Sequence, residues 1–184
     1  MANFDVAFQW LISDEDAANL HSIEPDKCPK GCALTQCFAI SGINSGAFPG
    51  EYDAIAALAQ SERGLAVEQF YQAHFWNTWY AQLTSDEVAK RVFDASVNCG
   101  QRAAIEILQR AINSIALKMA APGSYLLIID GGWGPHTVES ANALDPAGLV
   151  PAFCAERVLH YEAIVAANPE DAQYLAEWTA RALK

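Results

Sequence analysis

At 184 residues the chain can bury one good core, or one domain with a small appended unit. Its 52% hydrophobic and 18% charged residues describe a globular rather than a disordered chain. The net charge of −11 argues against nucleic acid as a partner, against adsorption to anionic membranes and against long-range attraction to any acidic polymer.

Residues 3–13 read as a first helix, with Phe4, Ala7, Phe8 and Leu11 on one face and Val6 and Trp10 extending it. The pattern ends in Asp14-Glu15-Asp16. The ordinary reading of three acids there is a solvated helix end. Acids at a helix C-terminus nevertheless oppose the macrodipole, by about 0.3–1 kcal/mol each, so a carboxylate kept there is a candidate for another purpose. The N-terminus lacks the basic region and apolar core of a signal peptide.

Residues 17–49 carry Pro25, Pro29, Gly31, Gly42, Gly46 and Pro49 and have no clean period, which predicts a long loop with a short hairpin. Stretches of this length without regular structure are usually functional. Cys28, Cys32 and Cys37 lie within it; with Cys99 and Cys154 the total is five, so complete pairing within one chain is excluded. Three readings stand: free thiols, one disulfide in this loop, or zinc held with the help of His21, although the spacing matches no common zinc motif.

A short helix is expected over residues 51–59, then a longer one capped by Ser61 and running to about residue 83. Its segment QFYQAHFWNTWY is rich in rings. Aromatics at helical spacing are mostly core, which is the reading for Phe70 and Trp76. Trp79 and Tyr80 remain open between core and an exposed stacking surface, and His74 is placed on the helix surface. Residues 84–113 open with a Thr84/Glu87 capping box, and Val88, Val92, Ala95 and Ser96 recur at helical spacing. After a break at residues 97–100 come Ala104, Ile105, Leu108, Ala111 and Ile112. The polar break marks a corner of the fold or the wall of a cleft, with Asn98 fitted equally to capping and to ligand binding.

Residues 120–123 form a breaker, and residues 125–129 read as a strand far too short to cross a bilayer. DGGWGPHT, residues 130–137, then reads as a glycine-rich turn feeding a helix N-terminus, with Pro135 near its first position. Two helices over residues 149–167 and 169–183 complete the chain, with Val158, Tyr161, Ile164 and Val165 facing inward on the first and Tyr174, Leu175, Trp178 and Leu183 on the second. No internal repeat and no flexible linker are present, so the two parts are expected to pack as one body.

The segment VAKRVFDASVNCGQRAAIEILQRAIN resembles the VFDxxVNxGxxxAxxxLQ stretch of the glycoside hydrolase 108 family, lysozyme-like N-acetylmuramidases. The opening MANFDVAFQWLISDED is similar to that family's start, and the tail, with its DGxxGxxT pattern, resembles a small peptidoglycan-binding module. The resemblance implies a mainly α fold: a lysozyme-like helical domain over residues 1–115, with a small helical peptidoglycan-binding unit over residues 116–184 packed against it. It implies hydrolysis of the β-1,4 bond between N-acetylmuramic acid and N-acetylglucosamine, with Glu15 as general acid and no cofactor. Flanking aspartates would raise the pKa of such an acid. Asp16-Ala17 stands where the family has Gly-Gly, and Glu24 is a less favoured acid.

Asp26 and Thr35 are the nearest matches to the loop residues that position water or sugar. Asn98 and Gln101 would bond acetamido groups, and Trp79 and Tyr80 would stack on sugar rings. The implied partners are peptidoglycan glycan strands, with no nucleic acid and no membrane insertion. A protein made in the cytoplasm without a signal peptide would need a holin or dedicated secretion machinery to reach the wall, and an immunity protein is a further expected partner. Two rivals stand beside this reading: a wall-binding protein that keeps the fold without the chemistry, and a zinc-dependent use of the cysteine loop.

Overall fold

The computed structural model describes residues 1–18, 20–76, 78–119 and 126–184. They form eight α-helices, three short strands and three 3-10 turns, and the mainly helical class expected from the pattern is observed. The chain divides into two compact units, one of residues 4–77 and one of residues 1–3 and 78–184.

In the first unit, helix α1 (Phe4–Glu15) buries Phe4, Ala7, Phe8 and Leu11 as read from the sequence, and Ile12 in addition, whereas Val6 is exposed and Trp10 half-buried. The helix runs two residues past Ser13, so Glu15, read from the sequence as part of the acidic helix end, is its last residue. Where a long loop with a short hairpin is expected, the chain builds a three-stranded antiparallel sheet: β1 (Ile23–Asp26), β2 (Cys37–Ile40) and β3 (Ile43–Asn44). The register pairs Ile23 with Ile40, Glu24 with Ala39, Pro25 with Phe38 and Asp26 with Cys37. Because side chains alternate along a strand, Glu24 and Asp26 share one face of β1.

Helices α2 (Pro49–Ala56) and α3 (Arg63–His74) complete the unit. Helix α3 stops at His74, short of the expected end near residue 83, and Ser61 lies in a 3-10 turn (Gln60–Glu62) instead of capping it. Phe70 and Tyr71 are buried, and Tyr71 packs on Phe8 at 6.0 Å between ring centres. Trp76 is half-buried, with its edge on Phe4. His74 is on the surface as expected, 3.2 Å from Glu51.

The second unit is a helical assembly of α4 (Asp86–Cys99), α5 (Gln101–Met119), α6 (Pro135–Ala143), α7 (Pro146–Ala167) and α8 (Leu175–Leu183). Gly100, at φ +85°, separates α4 from α5, so the polar break is a corner. Val88, Val92, Ala95 and Ser96 on α4, and Ala104, Ile105, Leu108, Ala111 and Ile112 on α5, are all buried. The cap of α4 is Ser85, whose hydroxyl accepts from the Val88 amide at 3.4 Å. Thr84 is taken instead by Asn142, which accepts from its amide at 2.8 Å and its hydroxyl at 3.2 Å.

Leu126 to Ile129 form no strand, and Tyr125 and the breaker at residues 120–123 lie outside the described residues. Helix α7 starts earlier than expected because Asp145 caps it and Pro146 occupies its first turn. Tyr161 is buried on it, whereas Leu183 on α8 is exposed and Ala182 takes the inward position.

Asp94 is wholly buried and holds α7 and α8 to α4: Arg157 Nη1 and Arg181 Nη2 each donate to it at 2.6 Å. Among the described residues no helix is long and apolar enough to cross a membrane.

Candidate active site

A cavity of about 380 Å³ in the first unit is lined by Glu15, Asp16, Glu24 and Asp26 together with Ala17, Ser41 and Gly42. Two elements bring the acids together. The C-terminus of α1 supplies Glu15, and one face of β1 supplies Glu24 and Asp26.

The turn after α1 is tied by Asp16. Its Oδ1 accepts from the Leu20 amide at 3.1 Å, and its Oδ2 from the His21 amide at 2.7 Å and the Ser41 hydroxyl at 2.9 Å. With Ser41 donating to Asp16, the Ser41 oxygen accepts from His21 Nδ1 at 2.8 Å, which makes Nδ1 the protonated nitrogen. His21 and Ser41 both adopt left-handed backbone, at φ +49° and +48°, an arrangement that costs a non-glycine residue about 1–3 kcal/mol and persists only where surrounding contacts enforce it. Arg63 supplies one such contact, donating to the His21 carbonyl at 2.9 Å, and the Tyr71 hydroxyl supplies another at the Ser41 carbonyl at 2.8 Å.

These contacts give the two adjacent acids different characters. Burial raises the Asp16 pKa, but the amides of His21 and Leu20, the Ser41 hydroxyl and the imidazole together outweigh it and hold the carboxyl below its usual value. Asp16 is an ionised anchor. Glu15 is half-buried and faces the cleft beside Gly42, where a Cβ on Gly42 would lie 2.5 Å from Glu15 Oε2 and 2.8 Å from the Tyr71 hydroxyl. Only glycine, here at φ +80°, allows that approach.

Asp26 is fixed differently: Asn44 Nδ2 donates to its Oδ2 at 2.6 Å and the Lys27 amide to its Oδ1 at 2.7 Å. Glu15 and Asp26 are therefore brought to one cleft, as the sequence suggested, whereas Thr35 is exposed and does not line it. Sequence reasoning missed His21 and Ser41 as supports.

The other expected binding residues belong to the second unit. Tyr80 is wholly buried, its hydroxyl bonded to Ser96 and its ring edge-on to Trp133 at 5.2 Å, so it offers no face to a sugar. Asn98 accepts from the Tyr161 hydroxyl at 2.5 Å, which makes it a tie between α4 and α7. Gln101 is exposed at the start of α5, and Trp79 is half-buried.

The larger cavity, about 590 Å³, is elsewhere, at the DGGWGPHT motif, where Leu126, Ile128, Trp133 and Pro135 meet Asp130 and Thr137. It brings together Asp130, His136 and neutral polar side chains with a largely apolar wall, a lining that suits ligand binding. Gln109 organises this wall: its Nε2 donates to Asp130 Oδ1 at 2.9 Å, and its Oε1 accepts from the amides of Asp130 and Gly131 at 3.1 Å each. The Gln109 amide, with help from that of Gly132, also keeps the Asp130 pKa below its ordinary value.

Of the three cysteine readings, the described residues show one disulfide, Cys28–Cys37, with Cys32 free. The three sulfurs lie within 4.8 Å of one another, yet a bridge between two of them leaves a single thiol as a metal ligand.

Residues 41–100 match the family model described as Glycosyl hydrolase 108, and residues 103–183 match that described as Predicted Peptidoglycan domain. The resemblance read from the sequence is borne out, although the first match begins after Glu15 and Asp26. Among solved structures, the chain is similar to one titled "Structure of Brucella abortus SagA", with a TM-score of 0.56, 17% identity, and coverage of 98% of this chain and 93% of that one. That likeness is one of fold. No curated protein matches the chain.

Proposed function

We propose that this chain, a glycosyl hydrolase 108 segment followed by a peptidoglycan domain, is an N-acetylmuramidase that hydrolyses the β-1,4 bond between N-acetylmuramic acid and N-acetylglucosamine. Glu15 is the general acid that protonates the glycosidic oxygen. Asp26, steadied by Asn44, positions water or sugar across the cleft. The observation that carries the reading is the placement of Glu15 in a cleft with Glu24 and Asp26, while the neighbouring Asp16 is wholly engaged in the turn.

By role, residues 1–115 carry the chemistry and residues 116–184 hold the wall, with the groove at residues 130–137 as its contact. The protein acts at the cell wall. Because its net charge of −11 opposes attraction to an acidic polymer, wall affinity comes from that groove.

A second reading, a wall-binding protein without hydrolysis, is favoured by one observation: Asp16-Ala17 replaces the family's Gly-Gly, and Asp16 locks the turn where a flexible pair would stand. Digestion of purified peptidoglycan with mass analysis of released fragments separates the two. The muramidase reading predicts muropeptides with reducing N-acetylmuramic acid ends. Reducing N-acetylglucosamine ends, or binding without release, would contradict it.

A further inference from the structure

Next to the cleft, but outside its lining residues, lies the three-sulfur cluster. Cys32 Sγ is 3.9 Å from Cys37 Sγ, which is already bonded to Cys28, and accepts a hydrogen bond from the Leu34 amide at 3.4 Å. Cys37 is wholly buried, whereas Cys28 and Cys32 are half-exposed. Gly46 makes room for the sulfurs: a Cβ there would lie 2.8 Å from Cys32 Sγ and 2.9 Å from Cys37 Sγ. A nucleophilic sulfur and a disulfide are thus in contact with no side chain between them.

We propose that this cluster is a thiol–disulfide exchange site with Cys32 as its entry thiol. The Cys32 thiolate attacks Cys37 Sγ; the Cys32–Cys37 bond forms and the Cys28–Cys37 bond breaks. The electron pair of the broken bond stays on Cys28, which leaves as a thiolate and takes up the proton that Cys32 lost. Nothing is oxidised or reduced overall, so no co-reactant is required. The odd cysteine is then presented by Cys32 before exchange and by Cys28 after it, and either can react with a low-molecular-weight disulfide: one sulfur of the reagent bonds to the cysteine and the other departs as a thiolate.

Exchange also changes what holds the end of β1. Cys37 faces Asp26 in the strand register, and Asn44 bridges Asp26 Oδ2 and the Lys27 carbonyl immediately before Cys28. Moving the bridge to Cys32 removes the covalent tie beside Asp26. The sulfur chemistry itself does not depend on the glycosidase reading.

The test is disulfide mapping of the intact protein, purified without reductant, held at about pH 8 where ordinary thiols are partly ionised, then acid-quenched and alkylated. Trypsin cuts after Lys30 and chymotrypsin after Leu34, which separates the three cysteines. Both Cys28–Cys37 and Cys32–Cys37 bridges are expected, with label on Cys32 and on Cys28, and Cys32→Ser should lose the second bridge entirely. Cys28→Ser, checked for its fold by circular dichroism, should form Cys32–Cys37 with oxidised glutathione. Label confined to Cys32 after prolonged incubation, or a folded Cys28→Ser that keeps both remaining thiols, would overturn the proposal, as would stoichiometric zinc on three reduced cysteines.

Discussion

The Ser41 hydroxyl donates to Asp16 at 2.9 Å across 25 residues of sequence, and this bond joins the end of α1 to the β2–β3 turn. Each partner holds the other: Asp16 gathers two amides and the hydroxyl, while Ser41 is kept in left-handed backbone. Asp16→Asn preserves the shape but weakens acceptance from three donors. A loss of about 1–3 kcal/mol is expected, because charge-assisted bonds of this kind exceed neutral ones. Denaturant unfolding measures it.

The same network sets an acid limit. The folded Asp16 pKa lies below its ordinary value of 3.8, so its contribution is complete above the unfolded pKa and disappears as pH falls through the folded one. Unfolding measured from pH 6 downward should show wild type losing stability below about pH 4, with a shallower loss in Asp16→Asn.

Gly42→Ala tests the placement of Glu15. The new methyl group would overlap Glu15 Oε2 at 2.5 Å and would force alanine to φ +80°. Strain of about 1–2 kcal/mol is expected with displacement of the carboxylate, giving a folded protein whose turnover falls more than its substrate affinity.

In the second unit, Asp94→Ala would leave the buried Arg157 without its anion. Breaking such a pair costs about 3–5 kcal/mol, and a melting midpoint lower by on the order of 10 °C is expected for a chain of this size. Asn98→Ala loses the Tyr161 hydrogen bond and the weaker one from the Cys99 thiol, and should cost about 1 kcal/mol.

Gln109→Leu removes the support of the DGGWGPHT loop. Co-sedimentation with insoluble peptidoglycan should weaken severalfold, while hydrolysis of short soluble glycans is retained.

The helices are legible because apolar spacing alone specifies which face is buried, as with Phe4, Ala7, Phe8 and Leu11, or Ala104, Leu108 and Ala111. What escapes the sequence depends on partners far along the chain. Thr84 and Ser85 fit the capping role equally well, and Asn142, 58 residues from Thr84, decides between them. The sequence pattern puts Tyr80 on a helix continued to residue 83; α3 stops at His74, so its helical phase does not carry to Tyr80. Of the polar positions in the VFDxxVNxGxxxAxxxLQ pattern, Asp94, Asn98 and Gln109, the sequence marks Asn98 as a candidate binding residue and gives no role to the other two. Their partners on α7, α8 and the 130–137 loop make them ties within the second unit. Glu15 is legible from its place at a helix end, whereas His21 and Ser41 carry no local signal, because left-handed backbone at non-glycine residues is imposed by tertiary contacts.

The sharpest test of Glu15 as the general acid is the rate of reducing-end release from purified peptidoglycan by wild type, Glu15→Gln and Asp16→Asn, with folding checked by circular dichroism. If Glu15 fills that role, Glu15→Gln should lose about 10²–10⁴-fold in turnover while still binding the wall, and Asp16→Asn should lose far less. A folded Glu15→Gln that releases reducing ends at the wild-type rate would contradict it.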